Sequence, residues 1–375
     1  MDTILGQDQM TVWKIDQCIK GWRPLVVLPD WLIFYKKGCI YKVRHDLKRP
    51  ILLCVIQNRG LFGRLFKNSR IVDRALRSSP SHAIIFDNAL FIAQRSNIWR
   101  YDFNEGNLNL DFEIPNDRFS LSFSIVSNKQ GLEELVFGEY FENLAMDPIR
   151  IWGRKSGSNK WLIRAKFALG EINHIHSIFC ANTRVYILTG DFDQAAGIWV
   201  SDPEFSTLKP LLRGKQSNRA AWMEKIDNHI FFANDTPLEQ NRLFKFEITN
   251  ENDIRPIPLA NLNGSSIYAS GGFEEIFFST TVEPGLPTGN FISDMLDSRP
   301  GPGVISSKAS LMSIDRQGHV SELYSAEKDN LPLRLMQFGT FIFPSGTMPS
   351  NTLYCFGVAL KNIDNCCLVF RRQKS

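Results

Sequence analysis

The segment SHAIIFDNALFIAQRSNIWRYDF (81–103) contains two short apolar runs joined by an Asp-Asn turn, then a polar break and an aromatic run. Short runs rich in Ile, Phe and Tyr and bounded by Asp and Asn predict antiparallel strands joined by tight turns. The layout recurs along the chain in seven units that begin near residues 25, 83, 121, 177, 220, 266 and 335. A repeat of roughly 40–50 residues with about four strands is typical of the blades of a β-propeller.

The sequence therefore predicts an all-β fold: a single β-propeller over residues 1–375 with about seven four-stranded antiparallel blades. Six or eight blades remain open, and a β-sandwich is the alternative, although a sandwich has no reason to repeat its internal layout. The segment 281–307 is rich in Pro, Gly and Ser, which predicts a long loop excursion within the sixth blade. No helix of useful length is expected. Trp99, Trp152 and Trp199 recur in the third strands and are predicted to pack between blades.

The composition is that of an ordinary soluble globular protein, with 43% hydrophobic and 22% charged residues. A net charge of +4 argues against a general nucleic-acid binder, whose basic residues would cluster on one face. No apolar run is long enough to predict a membrane span. The seven cysteines form no regular framework, and the N-terminal residues do not resemble a secretory signal, so the predicted location is the cytoplasm.

Polar residues lie where the predicted first strands begin and where the second strands end. In a meander these two edges meet, so their side chains should converge on one rim of the central channel. Titratable groups of both signs gathered in one concave site are a signal of function. The rim positions are Lys36, Arg95, Glu139, Asp191, Asp235 and Glu283 at strand ends, and Arg23, His82, Arg118, His174, His176, Arg219, Tyr268 and Arg334 at strand starts.

His174 and His176 are the sharpest local feature. Strand alternation places both imidazoles on one face, about 6–7 Å apart, a separation that one metal ion can bridge. Carboxylates from neighbouring blades would complete the shell of one divalent metal ion. The alternatives are that the two rings bind an anionic substrate, act in acid/base chemistry, or cap a buried network.

Several short motifs occur in a fixed order: Gly138-Glu139-Tyr140, HIHSI (174–178), TGD (189–191), GKQSNRAA (214–221), NDT (234–236), TTVEP (280–284) and KDNLP (328–332). Together they resemble a sialidase-like group of bacterial propellers of the Asp-box (BNR) superfamily. That resemblance implies recognition of acidic or cell-surface sugars, and it adds Tyr140, Gln216 and Lys328 to Arg219, Tyr268 and Arg334 as substrate-binding candidates. The H-x-H sequence is also similar to the metal site of propeller-type oligogalacturonate lyases.

Three functions follow as alternatives. The first is an enzyme that processes an acidic glycan, as a glycoside hydrolase or a metal-assisted lyase, with catalytic candidates His174, His176, Glu139, Asp191, Asp235 and Glu283. The second is a non-catalytic propeller that binds a glycan or a protein through the same rim. The third is a cytosolic polysaccharide-assembly factor or glycosyltransferase. The fold does not choose between them, because propellers host many functions.

Overall fold

The computed structural model describes residues 11–56, 69–192, 194–248, 254–272 and 274–374, which form seven four-stranded antiparallel sheets. Blade 1 comprises β2 (Arg23–Val27), β3 (Trp31–Lys36), β4 (Cys39–Arg44) and β5 (Ile51–Val55). Blade 2 comprises β6 (His82–Phe86), β7 (Ala89–Gln94), β8 (Asn97–Asp102) and β9 (Leu108–Glu113). Blade 3 comprises β10 (Ser124–Ser127), β11 (Glu133–Gly138), β12 (Ile149–Lys155) and β13 (Leu162–Phe167). Blade 4 comprises β14 (Ile175–Ala181), β15 (Arg184–Thr189), β16 (Gly197–Ser201) and β17 (Lys209–Arg213). Blade 5 comprises β18 (Ala220–Ile226), β19 (His229–Asn234), β20 (Asn241–Glu247) and β21 (Ile257–Leu262).

Blade 6 comprises β22 (Ser265–Gly271), β23 (Ile276–Thr281), β24 (Lys308–Ile314) and β25 (Val320–Glu327). Blade 7 comprises β26 (Thr340–Ile342), β27 (Thr352–Val358), β28 (Cys366–Lys374) and β1 (Thr11–Lys20). The inner strands begin at residues 23, 82, 124, 175, 220, 265 and 340, close to the predicted unit starts. The prediction of an all-β propeller with seven four-stranded blades is therefore confirmed.

The ring closes through the seventh blade, because β1 pairs antiparallel with β28 from Thr11↔Lys374 to Lys20↔Cys366. The first described strand of the chain is thus the outermost strand of the last blade, whereas each of the other six sheets is a simple meander. Hydrogen bonds between the two ends of the chain replace a covalent closure and leave no gap between blades 7 and 1.

Apolar side chains fill the space between neighbouring blades. Trp152 of blade 3, for example, packs in one cluster with Phe91 of blade 2 and Phe137 of blade 3. Trp99 and Trp199 are buried in equivalent clusters, so the predicted inter-blade role of the three tryptophans is confirmed. Burial of such a side chain contributes about 1.5–3 kcal/mol, and it makes the inner strands a rigid support for the rim.

Three short helices lie on the rim: α1 (Arg70–Leu76), α2 (Phe291–Leu296) and α3 (Leu333–Met336). They lie there because α1 and α3 precede the inner strands β6 and β26, while α2 follows the second strand β23. Helix α3 contacts both of the others. None of the three is longer than seven residues, which agrees with the expectation of no helix of useful length, and α1 begins at a Ser69 cap. No helix in the described ranges is long and apolar enough to cross a membrane.

The segment after β26 runs into the channel below the rim. The Val27 amide donates to the Ser345 carbonyl at 2.8 Å, and the Ser345 hydroxyl donates to the Ala83 carbonyl of blade 2 at 2.6 Å. Further along, the Met348 amide donates to the Gly271 carbonyl of blade 6 at 3.4 Å. The segment that follows β26 therefore links blade 7 to blades 1, 2 and 6.

Candidate metal centre

Two imidazoles meet at the start of the inner strand of blade 4. His174 immediately precedes β14, and His176 is its second residue. Strand alternation puts both rings on the same side, and the pairing of β14 with β15 slips by one residue between Ile175 and Ser177. The two Nε2 atoms lie 3.0 Å apart and the ring centroids 4.9 Å apart. The rings are therefore closer than simple strand alternation predicts.

Backbone carbonyls fix the orientation of both rings. His174 Nδ1 lies 3.2 Å from the Phe141 carbonyl of blade 3, and His176 Nδ1 lies 2.9 Å from the Ala220 carbonyl of blade 5. A carbonyl oxygen can only accept, so each Nδ1 must carry the proton in these hydrogen bonds. In this tautomer each ring presents the lone pair of its Nε2, and the two Nε2 atoms face one another.

Asp191 supplies a carboxylate at the same point. Its Oδ2 is 3.4 Å from His174 Nε2, and its Oδ1 is 3.4 Å from His176 Nε2. The carboxylate is placed by a tight turn at Gly190, where φ is 83° and an added Cβ would lie 2.3 Å from the Ala195 backbone. The predicted carboxylate partner therefore comes from blade 4 itself and not from a neighbouring blade.

These three residues suit a divalent cation. Facing lone pairs 3.0 Å apart repel one another unless a proton or a cation lies between them. Protonation is disfavoured because burial lowers the pKa of His174, even though the Asp191 charge opposes this. The three ligand atoms lie within 4.8 Å of one another. Imidazole nitrogens whose second nitrogen donates to a carbonyl, together with a carboxylate, are a usual ligand set for transition metals.

Arg219 connects this cluster to blade 5. Its Nη2 lies 2.9 Å from Asp191 Oδ1 and 3.5 Å from Asp235 Oδ2. Although burial alone would raise the pKa of Asp191, the Arg219 charge holds it well below its usual range. Burial lowers the pKa of the Arg219 guanidinium, but the carboxylates of Asp235 and Asp191 outweigh this effect, so the group stays charged.

Two buried carboxyl groups lie beside Arg219. Asp235 follows β19, and Glu283 lies two residues beyond β23. Asp235 Oδ1 is buried without a hydrogen-bond partner among the described residues, and the Ser265 hydroxyl lies within hydrogen-bonding reach of the Glu283 carboxyl group. Burial, and then the Asp235 charge, raise the pKa of Glu283 to about 8, so this carboxyl group is protonated at neutral pH. An unpartnered atom of this kind costs about 1–3 kcal/mol, which a hydroxyl-rich ligand would recover.

Gln216 ties two rim loops together. Its Nε2 donates to the Asp191 carbonyl at 3.0 Å, and its Oε1 accepts from the Thr236 hydroxyl at 2.7 Å. It thus positions the loops that carry Asp191 and Asp235, and its predicted contact with substrate stays a prediction.

Two tyrosines, Tyr140 and Tyr268, lie near the same cluster. The Tyr140 ring centroid lies 4.2 Å from that of His174, and burial raises the pKa of the Tyr140 hydroxyl. Burial also raises the pKa of Tyr268, whose hydroxyl lies within electrostatic reach of Arg23 and Asp235. Both hydroxyls are therefore neutral hydrogen-bonding groups at neutral pH.

Three predicted site residues lie away from this cluster. Glu139 is fully buried: it pairs with Arg118, accepts from the Arg150 amide at 3.0 Å and accepts from Trp152 Nε1 at 2.9 Å. Lys328 donates to Asp329 and to the Leu331 carbonyl, and Arg334 of α3 donates to the Gly285 carbonyl. Glu139 is thus held by buried internal partners, whereas the substrate-binding roles predicted for Lys328 and Arg334 stay predictions.

Ser265 and Arg77 are site residues that the sequence analysis missed. Ser265 begins β22 beside Glu283, and its position at the start of an inner strand was the available signal. Arg77 ends α1 in a left-handed conformation, and its charge offsets a small part of the burial that raises the pKa of Tyr140 and Tyr268. The sequence signal for Arg77 was the helix N-cap at Ser69.

Solved structures with the same fold include two lyases. The chain is similar to a structure titled oligogalacturonate lyase in complex with manganese, with 9% identity, a TM-score of 0.58, and coverage of 94% of this chain and 89% of that one. The oligogalacturonate lyase of Vibrio parahaemolyticus gives 8% identity, a TM-score of 0.54 and coverage of 95% and 90%.

A structure titled AfRom2 CNH domain is also similar, with 7% identity, a TM-score of 0.51 and 97% coverage of both chains. No protein-family model and no curated protein matches the chain, so the sialidase-like resemblance stays a prediction. At these identities the likeness establishes a seven-bladed propeller with structural similarity to oligogalacturonate lyase, and the chemistry must be argued from the residues of the rim.

Proposed function

We propose that this propeller binds a divalent cation through His174, His176 and Asp191 and cleaves an acidic saccharide at the rim by β-elimination. The observation that carries the proposal is the convergence of two Nε2 lone pairs and a carboxylate on one point. The propeller whose title names an oligogalacturonate lyase with manganese supports both the metal and the substrate class.

The reaction removes a proton next to a sugar carboxylate and breaks the adjacent C–O bond. A cation held by the three ligands supplies positive charge that neutralises the sugar carboxylate. The Arg219 guanidinium, whose Nε is unpartnered, stabilises the negative charge that develops as the C–H proton leaves. Arginine also suits the planar carboxylate of an acidic sugar.

The two buried carboxyl groups provide the proton transfers. The unpartnered Oδ1 of Asp235 takes the C–H proton, and a carbon–carbon double bond forms as the bond to the leaving oxygen breaks. Glu283, protonated because its pKa is raised to about 8, gives its proton to that oxygen. Water then takes the proton from Asp235 and returns one to Glu283, so the proton transfers balance and both groups are restored after one turnover.

A glycoside hydrolase is the second candidate, and the same pair of carboxyl groups favours it. In that reaction Glu283 would protonate the leaving oxygen, while Asp235 would act as nucleophile or activate water. Both readings use the same two residues, so the products must distinguish them.

The test is to incubate manganese-loaded protein with oligogalacturonates of defined length and with neutral oligosaccharides of equal length. A lyase produces new reducing ends together with the ultraviolet absorbance of an unsaturated sugar. A hydrolase produces reducing ends without that absorbance. We expect Asp235→Asn and Glu283→Gln to abolish turnover, while Glu105→Gln, an exposed substitution on blade 2, leaves it unchanged. Binding without turnover of any acidic saccharide would show the rim to be a binding site only.

A further inference from the structure

Arg23, the first residue of the inner strand of blade 1, has no ionic partner in the described part of the chain. Its one hydrogen bond runs from Nη2 to the Ser81 carbonyl at 3.4 Å, and its Nε is buried without a partner. Asp73 lies within electrostatic reach, but its carboxylate already accepts from Arg70 and from two serine hydroxyls. Burial lowers the pKa of Arg23, as expected for a cation whose charge is not compensated.

His82 adds a neutral donor beside this cation. The Phe123 amide donates to His82 Nδ1 at 3.3 Å, so that nitrogen is the acceptor and Nε2 carries the proton. Burial, and then the Arg23 charge, lower the pKa of His82 to about 4, which keeps the ring neutral at physiological pH. Blades 1 and 2 therefore present a guanidinium and an imidazole N–H with no carboxylate paired to either.

Tyr268 relates this pair to the metal centre. Its pKa responds to the charge of Arg23 on one side and of Asp235 on the other. Arg23 and Tyr268 lie on the inner strands of blades 1 and 6, which blade 7 separates, so their interaction runs across the channel. The mouth of the channel thus has a cationic pole at blades 1 and 2 and the metal centre at blades 4 and 5.

We propose that Arg23 and His82 form a second anion-binding subsite, which takes one acidic group of a saccharide while another acidic group lies at His174, His176 and Asp191. A guanidinium fork and an imidazole N–H suit a carboxylate or a sulfate. The substrate class then narrows to saccharides with at least two acidic sugars. The identity of the ligand rests on the proposed function, whereas the anion subsite rests on Arg23 and His82 alone.

The experiment compares wild-type protein, Arg23→Met, Arg23→Lys and the control Arg316→Met, which removes an exposed arginine from an outer turn. Calorimetric titrations use three probes: galacturonate, digalacturonate and inorganic sulfate at constant ionic strength. We expect Arg23→Met to weaken digalacturonate binding about 10- to 100-fold, the loss typical of a charged hydrogen-bonded pair, with galacturonate and manganese affinities unchanged. Arg23→Lys should lose part of that affinity, and Arg316→Met none.

Removal of an uncompensated cation should not impair folding, and circular dichroism of each variant checks this. If Arg23→Met binds sulfate and digalacturonate as the wild type does, the subsite is overturned. If Arg23→Met loses affinity for galacturonate and digalacturonate equally, the Arg23 subsite and the metal centre bind the same carboxylate. That result would overturn the proposal of two separate anion-binding positions. Arg23-dependent sulfate binding in a protein that binds neither sugar supports the subsite and contradicts the proposed function.

Discussion

The Nε2 atoms of His174 and His176 lie 3.0 Å apart because carbonyls of two different blades hold the opposite nitrogens. Phe141 of blade 3 fixes one ring, and Ala220 of blade 5 fixes the other. The arrangement brings together two lone pairs that repel each other, and the fold supplies the energy that keeps them there. The junction of blades 3, 4 and 5 is therefore preorganised for a ligand that accepts electron pairs.

Gln216 is predicted to act on the metal centre through position alone. Gln216→Leu keeps the volume but removes the hydrogen bonds to the Asp191 carbonyl and to Thr236. We expect manganese affinity to fall about 10-fold, the usual effect of losing a group that orients a ligand. Calorimetric titration measures this, with Gln240→Leu as the control because that side chain also bonds backbone carbonyls, away from the cluster. Equal manganese affinity in both variants would contradict the positioning role.

Glu283 is predicted to make the metal-free protein less stable as the pH rises. Its folded-state pKa is raised to about 8, from an ordinary 4.5, so the native state holds a proton that the unfolded chain has lost. The free energy of unfolding therefore falls between about pH 5 and pH 8. Glu283→Gln should remove this part of the pH dependence and be more stable than the wild type at pH 8. Urea midpoints at several pH values test the prediction against Glu105→Gln, and parallel pH profiles for all three proteins would refute it.

Glu139 is predicted to be structural. Glu139→Gln leaves Arg118 and Arg150 without their buried carboxylate, which should lower the free energy of unfolding by about 3–5 kcal/mol. Manganese bound per folded molecule should not change, because Glu139 lies outside the three ligands. The exposed Glu133→Gln on the same strand is the control. Loss of manganese binding at normal stability would show that Glu139 belongs to the site after all.

The seven blades could be predicted because each repeats one pattern of apolar runs and turns, and the pattern alone determines where strands begin. The rim residues followed from the same meander: Asp191, Arg219, Asp235 and Glu283 lie where strand starts and ends converge. Strand position does not reveal which way a side chain turns. Glu139 occupies an equivalent strand end, but its carboxylate turns towards Arg118 and Trp152.

The features of the site that could not be predicted from the sequence depend on local irregularities of the structure. The pairing of β14 with β15 slips by one residue beside the two imidazoles, and no residue type in the sequence announces it. The Arg23 subsite was not separable from other rim arginines, since only the structure shows which arginines have acidic partners. Arg219 bonds two carboxylates, whereas Arg23 bonds none.

The central claim is that His174, His176 and Asp191 bind one divalent cation. The direct measurement is calorimetric titration of metal-free protein with manganese, for the wild type, His174→Ala, His176→Ala and the exposed control His319→Ala. We predict that the wild type and the control bind one equivalent of manganese. In each of the other two variants we predict that manganese affinity falls at least about 100-fold, because one of the three proposed ligands is removed. No manganese binding by the wild type, or equal affinity in all four proteins, would contradict the account.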